Sequence, residues 1–148
     1  MGSQYGKYFD ALVLHETRLW AMVERRVRMT EGAVSLGRFE ILKAVHQSGE
    51  ESRVQDIAET LLVTVGAASR IVDRLVMDGL LSRSPHPSDR RSYRIGLTTS
   101  GRTAFEVTAG AREKALEELL GRFDPGLIDT LTQALADADA RLANGPGA

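Results

Sequence analysis

Apolar residues near the N-terminus recur three, four or seven positions apart, which is the spacing of one face of a helix. The set comprises Tyr5, Tyr8, Phe9, Leu12, Leu19, Trp20, Val23 and Val27. Most charged residues of this stretch fall outside the set, and Gly32 is a suitable end for a helix. The pattern therefore predicts one long amphipathic helix before Gly32.

Three shorter helices are predicted next, each marked by a residue type that begins or ends helices. Ser35 precedes a helical repeat that ends at Gly49, and a short helix is expected over Val54–Leu61. Thr64 is placed to cap the third helix, and Gly79 follows that helix where a left-handed residue is favoured. The inward face of this third helix is predicted to consist of Ala68, Ile71, Val72, Leu75 and Val76.

The helical period is lost after Gly79, and a pattern typical of strands takes its place. Leu80–Ser84 and Tyr93–Leu97 predict the two strands of a hairpin, joined by a loop that contains Pro85 and Pro87. Because proline restricts the backbone, we expect this loop to be stiff. Two short helices followed by a hairpin predict a winged helix-turn-helix.

Helical spacing returns in the last third of the chain. A long helix is expected from about residue 100 to 121, and Asp124 with Pro125 is expected to begin a final helix. These terminal helices are too amphipathic for so small a chain to cover alone, so we expect a homodimer. The predicted fold is mostly α with a small β-hairpin wing. Its predicted regions are 1–33 for dimerisation, 34–99 for the winged lobe and 100–148 for dimerisation.

The charge of the chain is divided unevenly, although its net value is only −1. Residues 63–103 carry seven arginines against three acids, whereas residues 104–148 carry four bases against eight acids. The local excess indicates nucleic-acid binding, although an ordinary solvated surface would have the same composition. The absence of cysteine excludes disulfides and cysteine-ligated zinc. Neither a membrane-spanning run nor a secretory leader is visible, so a cytoplasmic location is expected.

The helix after Thr64 presents small and basic residues outward. Its candidate DNA-binding residues are Thr64, Gly66, Ala67, Ser69, Arg70 and Arg74. Small side chains let the backbone approach base edges, and the N–H groups of a first helical turn favour phosphate. The two arginines lie one turn apart, so either can reach a guanine edge or a phosphate. The alternative is a solvated surface in which these arginines pair with Asp73 or Asp78.

The predicted hairpin loop presents two adjacent arginines. Asp89 is expected to pair with Arg91 and to brace the tip, so that Arg90 and Arg91 project together. A narrow minor groove attracts an inserted arginine because its potential is negative. A solubilising turn is the alternative, and it explains the charges but not the prolines. His86 lies in the same loop and receives no role.

Residues Leu61 to Phe105 resemble the winged helix-turn-helix of the MarR family of bacterial regulators. The matching motifs are Asp73-Arg74-Leu75, Gly79-Leu80-Leu81, Asp89-Arg90-Arg91, and Leu97-Thr98 followed by Gly101. The resemblance implies a homodimer on a pseudo-palindromic operator, with the helix after Thr64 in the major groove. It also implies that Arg91 enters the minor groove, that Asp89 braces it, and that Arg90 adds a supporting contact.

The resemblance further implies release from DNA by a small aromatic or phenolic ligand. Candidate ligand-binding residues are His15, Trp20, Phe39 and His46, beside Leu19, Val23 and Leu42. Their alternative roles are core packing for Trp20 and partly buried or surface positions for the histidines. The absence of cysteine excludes sensing by thiol oxidation. The three histidines are far apart in sequence, so no metal site and no cofactor are expected.

The leading interpretation is a homodimeric, sequence-specific DNA-binding transcriptional regulator, and more narrowly a repressor released by a ligand. The alternative is a winged-helix protein-interaction module without DNA binding, which would not need so many arginines together. An enzyme is not expected, because the sequence contains no nucleophile elbow, phosphate-binding loop, metal motif or spaced His/carboxylate dyad.

Overall fold

The computed structural model describes residues 3–145, apart from the side chain of Glu50. The elements of this part of the chain are α1 (Gln4–Val27), α2 (Leu36–Ser48), a 3₁₀ turn (Gly49–Glu51), α3 (Val54–Leu61), α4 (Val65–Met77), β1 (Leu81–His86), β2 (Asp89–Leu97), α5 (Thr99–Leu120) and α6 (Pro125–Ala143). The mostly helical fold with a small β-hairpin wing is thereby confirmed. Residues 1–2 and 146–148 of the two predicted terminal regions lie outside the described residues.

The described residues form two compact units, of which the first ends at Glu113 and the second begins at Lys114. The first unit contains α1 to α4, the hairpin and most of α5, and the second contains the end of α5 and all of α6. No helix within residues 3–145 is long and apolar enough to cross a membrane.

Side-chain caps begin the helices where the sequence predicts them. The Ser35 hydroxyl accepts the N–H of Arg38 at 3.4 Å, and the Thr64 hydroxyl accepts the N–H of Ala67 at 3.2 Å. Gly79 has a φ of +75° just after α4, as predicted for a left-handed residue. The end of α1 was predicted too late, because the helix stops at Val27 and a turn precedes Gly32.

The core of the first unit lies where α2, α3, α4, the hairpin and α5 meet. Its buried residues are Ile41, Leu42, Val45, Ile57, Val72, Leu75, Leu81, Ile95 and Ala104. The prediction that Ile71 points inward was wrong, since 37% of this residue is exposed. Each helical residue turns about 100°, so Ile71 lies at the edge of the stripe formed by Ala68, Val72 and Leu75.

The hairpin is longer than predicted, and the stiff loop is largely a strand. The register pairs Leu81 with Leu97 and Pro85 with Tyr93, and Pro87 and Ser88 alone form the turn. Both strands of a two-stranded sheet are edge strands, and Pro85 lies beside an irregularity in the pairing. Proline is tolerated at such positions because no ladder N–H is required there. The prediction that the first strand ends at Ser84, before Pro85, was therefore wrong.

Two junctions fix the hairpin to the helices around it. The N–H of Ile95 donates to the carbonyl oxygen of Ser52 at 2.7 Å, which ties β2 to the segment before α3. The Thr98 N–H donates to the carbonyl oxygen of Leu80 at 3.2 Å, and the Thr98 hydroxyl donates to that of Gly79 at 2.6 Å. The base of the wing is therefore held by the end of α4 and the start of α5.

Each of the terminal helices α1 and α6 exposes large apolar side chains. On α1 only Val23 and Val27 are buried, while its exposed large apolar residues are Tyr5, Tyr8, Phe9, Val13, Leu14, Trp20 and Met22. On α6 no described residue is buried, and its exposed leucines are Leu127, Leu131, Leu135 and Leu142. Pro125 occupies the first turn of α6 as predicted, but the Asp124 side chain makes no capping hydrogen bond.

Candidate nucleic-acid interface

The first turn of α4 is open and lined by small residues. Gly66 is exposed, and a side chain added there would find no atom within 4 Å. Ala67 and Ser69 are half-buried on either side of the inward-facing Ala68. Since the first N–H groups of a helix have no partner within that helix, this end offers donors to an anion.

Arg70 and Arg74 are exposed on one side of α4, as their spacing predicts. Both line a groove of about 540 Å³ between α2 and α4, with Ser35 and Gly37 on the opposite wall. Within residues 3–145, neither guanidinium makes a hydrogen bond or an ion pair with another residue. Their positive charge is therefore available to a ligand.

The alternative role of these arginines required pairing with Asp73 or Asp78, and the structure shows other partners for both acids. Asp78 forms an ion pair with Arg38 of α2. Asp73 forms one with Arg83 of β1 at 2.7 Å. The alternative in which Arg70 and Arg74 pair with Asp73 or Asp78 is therefore wrong.

Asp89 does contact Arg91, but through the backbone. Its Oδ1 accepts the N–H of Arg91 at 2.9 Å, a bond between positions two apart that closes the start of β2. This N–H hydrogen bond is the main reason why the pKa of Asp89 lies below its ordinary value of 3.8. The carboxylate therefore shapes the strand and leaves the Arg91 guanidinium unpaired.

Arg90 and Arg91 are both exposed in β2, and the pairing with β1 is irregular where they lie, between Asp89 and Tyr93. Arg91 lines a groove of about 390 Å³ between the wing, α3 and α4, with Ser69 of α4 on the same groove. Arg90 is exposed and does not line this groove. The hairpin therefore gives the two arginines different surroundings.

Three residues beside this groove were missed by reasoning from sequence. Arg83 makes two contacts. It forms an ion pair with Asp73, and its guanidinium carbon lies over the Tyr93 ring, 5.6 Å from the ring centre. Arg53 lines the same groove from the residue before α3. Arg83 and Tyr93 are diagonal neighbours across the hairpin, so the correct register would have indicated this pair.

The candidate ligand residues divide between two places. The Phe39 ring stacks on Phe105 with centroids 5.4 Å apart, and the His46 ring stacks on Phe105 at 4.7 Å. Phe105, which we did not predict, therefore covers both rings. His15 and Trp20 are exposed on α1, and among the described residues no hydrogen bond, ion pair or ring contact joins them to this stack. Nor do residues 3–145 contain a cluster of three potential metal ligands.

Residues 34–93, which contain α2 to the middle of β2, match the model of the MarR family. The multiple antibiotic resistance protein MarR of Escherichia coli is 39% identical over 51 residues, which cover 34% of this chain and 35% of that protein. The match covers 50% of MarR from two Salmonella strains, so this chain spans half or less of the first curated relatives that it matches.

Solved structures show the same fold over nearly the whole length. A mutant of Escherichia coli MarR in complex with operator DNA superposes with a TM-score of 0.78 at 20% identity, covering 93% of this chain and 99% of that one. BpsR of Bordetella bronchiseptica, whose DNA binding is regulated by 6-hydroxynicotinic acid, superposes with a TM-score of 0.77 at 20% identity. Its match covers 90% of this chain and 98% of that one.

Residues 34–93 therefore match the MarR family, and the fold is that of the solved MarR structures. Two matching proteins of Bacillus subtilis, 28% and 26% identical, carry the names of a transcriptional regulator and a transcriptional repressor. The MarR-family motifs have clear structural tasks in this chain. Asp73 holds β1 through Arg83, and Gly79 lies in the left-handed region just after α4. The Thr98 hydroxyl donates to the carbonyl oxygen of Gly79, and the Thr98 N–H donates to that of Leu80. Most of the signature therefore builds the winged lobe.

Proposed function

We propose that this protein is a DNA-binding transcriptional regulator that works as a homodimer on a pseudo-palindromic operator. The observation that carries the proposal is the pairing pattern of the arginines around α4 and the wing. Among the described residues of α4, β1 and β2, the arginines without an ion pair are Arg70, Arg74, Arg90 and Arg91. Their charge matches a phosphate backbone, which dominates the affinity of proteins for DNA.

In this proposal α4 enters the major groove. Its first turn can approach base edges closely because Gly66 and Ala67 carry no bulky side chain. Thr64, which caps the helix, and Ser69 can donate hydroxyl groups to phosphates or bases. Arg70 and Arg74 follow on the exposed side, where a guanidinium can bind a guanine edge with two hydrogen bonds.

The wing supplies the second contact in the proposal. Arg91 is the residue assigned to the minor groove, where a narrow A·T-rich segment has an enhanced negative potential. Asp89 braces it by holding the Arg91 N–H, and Arg90 adds a supporting contact to phosphate. Asp89 itself is not assigned a DNA contact, because a carboxylate repels phosphate.

The exposed apolar residues of α1 and α6 support the homodimer. Seven large apolar side chains of α1 and four leucines of α6 are exposed in one copy of the chain. A second copy is the partner that would cover them, with 1–33 and 100–148 as dimerisation regions and 34–99 as the DNA-binding lobe. A twofold dimer would read two half-sites about one helical turn apart, roughly 34–36 Å.

Repression and release by a ligand are the finer parts of the proposal. A dimer bound across a promoter prevents polymerase from using it, and a ligand that favours another conformation weakens that hold. The regulation of BpsR by an aromatic acid supports an aromatic or phenolic effector here. The candidate contacts remain His15, Trp20, Phe39 and His46, and Phe105 would have to move for the ring face of Phe39 to become accessible. Action on bacterial DNA places the protein in the cytoplasm.

The test is equilibrium binding to DNA selected from a random pool or taken from around its own gene. We expect Arg91→Ala to weaken binding by about 1–3 kcal/mol and to reduce the salt dependence by about one phosphate contact. Arg122→Ala is the matched control, because Arg122 is an exposed arginine outside the winged lobe and outside its grooves. Two copies of the chain should bind each operator. Absence of DNA binding even at low salt would instead favour the protein-interaction module.

A further inference from the structure

His86 lies at the tip of the wing, yet its side chain is largely buried. Only 9% of that side chain is exposed, whereas Pro87 and Ser88 beside it are exposed. Four charged groups of the described chain approach the ring or its partners. They are Glu51 of the 3₁₀ turn, Arg53 before α3, and Asp89 and Arg94 of β2. A buried ring on a projecting hairpin is therefore a contact between the wing and the helical lobe.

The contacts of the ring determine its protonation state. The backbone N–H of Ser88, which can only donate, lies 3.3 Å from Nδ1, so Nδ1 is the acceptor. The ring proton is then on Nε2, which lies 2.9 Å from the carboxylate of Glu51 and donates to it. Arg53, with a guanidinium nitrogen 3.1 Å from Nε2, carries only donors and does not hydrogen-bond this tautomer.

These two hydrogen bonds act on different parts of the wing. The bond from Ser88 to Nδ1 joins positions two apart and closes the turn in the way an asparagine side chain does in an Asx turn. The bond from Nε2 to Glu51 joins the tip to the 3₁₀ turn, and Glu51 also accepts from Arg94 at 3.4 Å. The His86 ring thus closes the turn at the wing tip and also attaches the tip to the 3₁₀ turn of the helical lobe.

We propose that His86, through its contacts with Ser88 and Glu51, is a positioning residue that holds the wing tip against the 3₁₀ turn and thereby sets the position of Arg91. The inference rests on the proposed function, because it gives the position of Arg91 a consequence for DNA binding. Arg91 lies five residues beyond His86, and Asp89, which holds the Arg91 N–H, pairs directly with His86 across the hairpin. A displaced His86 therefore displaces the start of β2.

Nuclear magnetic resonance tests the positioning role without DNA. The nitrogen shifts of the His86 ring should show a bare Nδ1 and a protonated Nε2 near neutral pH. Exchange of the Ser88 amide proton should be faster in His86→Ala than in the wild type, and His86→Asn should restore its protection because Asn can accept the same N–H. A proton on Nδ1, or Ser88 exchange unchanged by His86→Ala, would overturn the proposal.

Operator binding tests the consequence. His86→Ala should weaken binding roughly fivefold for each hydrogen bond lost. His86→Gln can still reach Glu51, and His86→Asn can still close the turn, so each should recover part of the affinity. Ser84→Ala, an exposed substitution on β1 that removes no hydrogen bond of the described chain, is the matched control and should leave affinity unchanged. A His86→Ala protein that unfolds at the wild-type temperature and binds with wild-type affinity would refute the DNA role.

If the wild type binds no operator at all, the proposed function and the DNA role of His86 both fail, while Ser88 exchange still decides whether His86 fixes the turn.

Discussion

Gly101 should tolerate no side chain, and the reason lies in its contact with Leu80, the residue just before β1. A Cβ at this position would overlap the carbonyl oxygen of Leu80 and come within 2.9 Å of its carbonyl carbon. That oxygen already accepts the N–H of Thr98, whose hydroxyl in turn accepts the N–H of Gly101 at 2.9 Å. Backbone therefore packs on backbone, and no flexible side chain is present to move aside.

The size of the effect follows from two opposing contributions. Alanine is favoured over glycine inside a helix by up to about 1 kcal/mol. Overpacking against a rigid neighbour costs about 1–3 kcal/mol, and loss of the bond between Thr98 and Leu80 costs about 0.5–1.5 kcal/mol more. We therefore expect Gly101→Ala to lower the free energy of unfolding by about 1–3 kcal/mol.

The same helix supplies the control. Gly110 also lies in α5, and a Cβ added there would meet no atom within 4 Å. Gly110→Ala should therefore stabilise by about 0.5–1 kcal/mol, the ordinary helix preference for alanine. Urea unfolding followed by circular dichroism, at one fixed protein concentration, measures both variants. A Gly101→Ala protein as stable as the wild type would refute the close approach between α5 and Leu80.

Three further substitutions test the core, a helix cap and the wing. Leu42→Ala, at a fully buried position, should lower the free energy of unfolding by about 2–5 kcal/mol in urea titrations, and a loss below about 1 kcal/mol would contradict its place in the core. Thr64→Ala should lower the free energy of unfolding by about 1 kcal/mol, because the N–H of Ala67 loses its acceptor. The Thr103 hydroxyl bonds only within its own helix, so Thr103→Ala should change the free energy of unfolding by less than about 0.5 kcal/mol. Asp89 should titrate below 3.8 in carbon-detected magnetic resonance. Because folding lowers the pKa of Asp89, the carboxylate contributes its full stabilisation at pH values above its ordinary pKa of 3.8. This stabilisation is lost as the pH falls through the folded pKa, so the stability of Asp89→Asn should be less sensitive to acid than that of the wild type.

Local chemistry made the helices predictable, while the wing depended on pairing that a linear pattern does not show. Ser35 and Thr64 cap their helices as expected because a hydroxyl needs only an N–H three residues on. The strands were predicted too short because Pro85 resembles a loop residue until its partner Tyr93 is known.

Contacts between distant segments were the least predictable part of the site. Asp73 could have paired with Arg70 or Arg74 on the same helix, yet it binds Arg83 on the wing. Phe105 covers Phe39 and His46 although 66 and 59 positions separate it from them, and no periodicity in α2 indicates a ring from α5. The pairing of His86 with Glu51 has the same origin, because the 3₁₀ turn and the wing tip meet only in the folded chain.

The acidic residues of the winged lobe determine which of its arginines are left for a ligand. Asp78 holds Arg38, and Asp73 holds Arg83, so both of these guanidinium groups join elements of the protein to one another. Asp89 forms no ion pair with an arginine among residues 3–145, and it accepts the backbone N–H of Arg91. An arginine that already has a carboxylate must give it up to bind a phosphate, whereas an unpaired arginine loses only water and counterions. The surface formed by α4 and the wing therefore keeps its positive charge because the nearby acids are engaged in building the lobe that presents it.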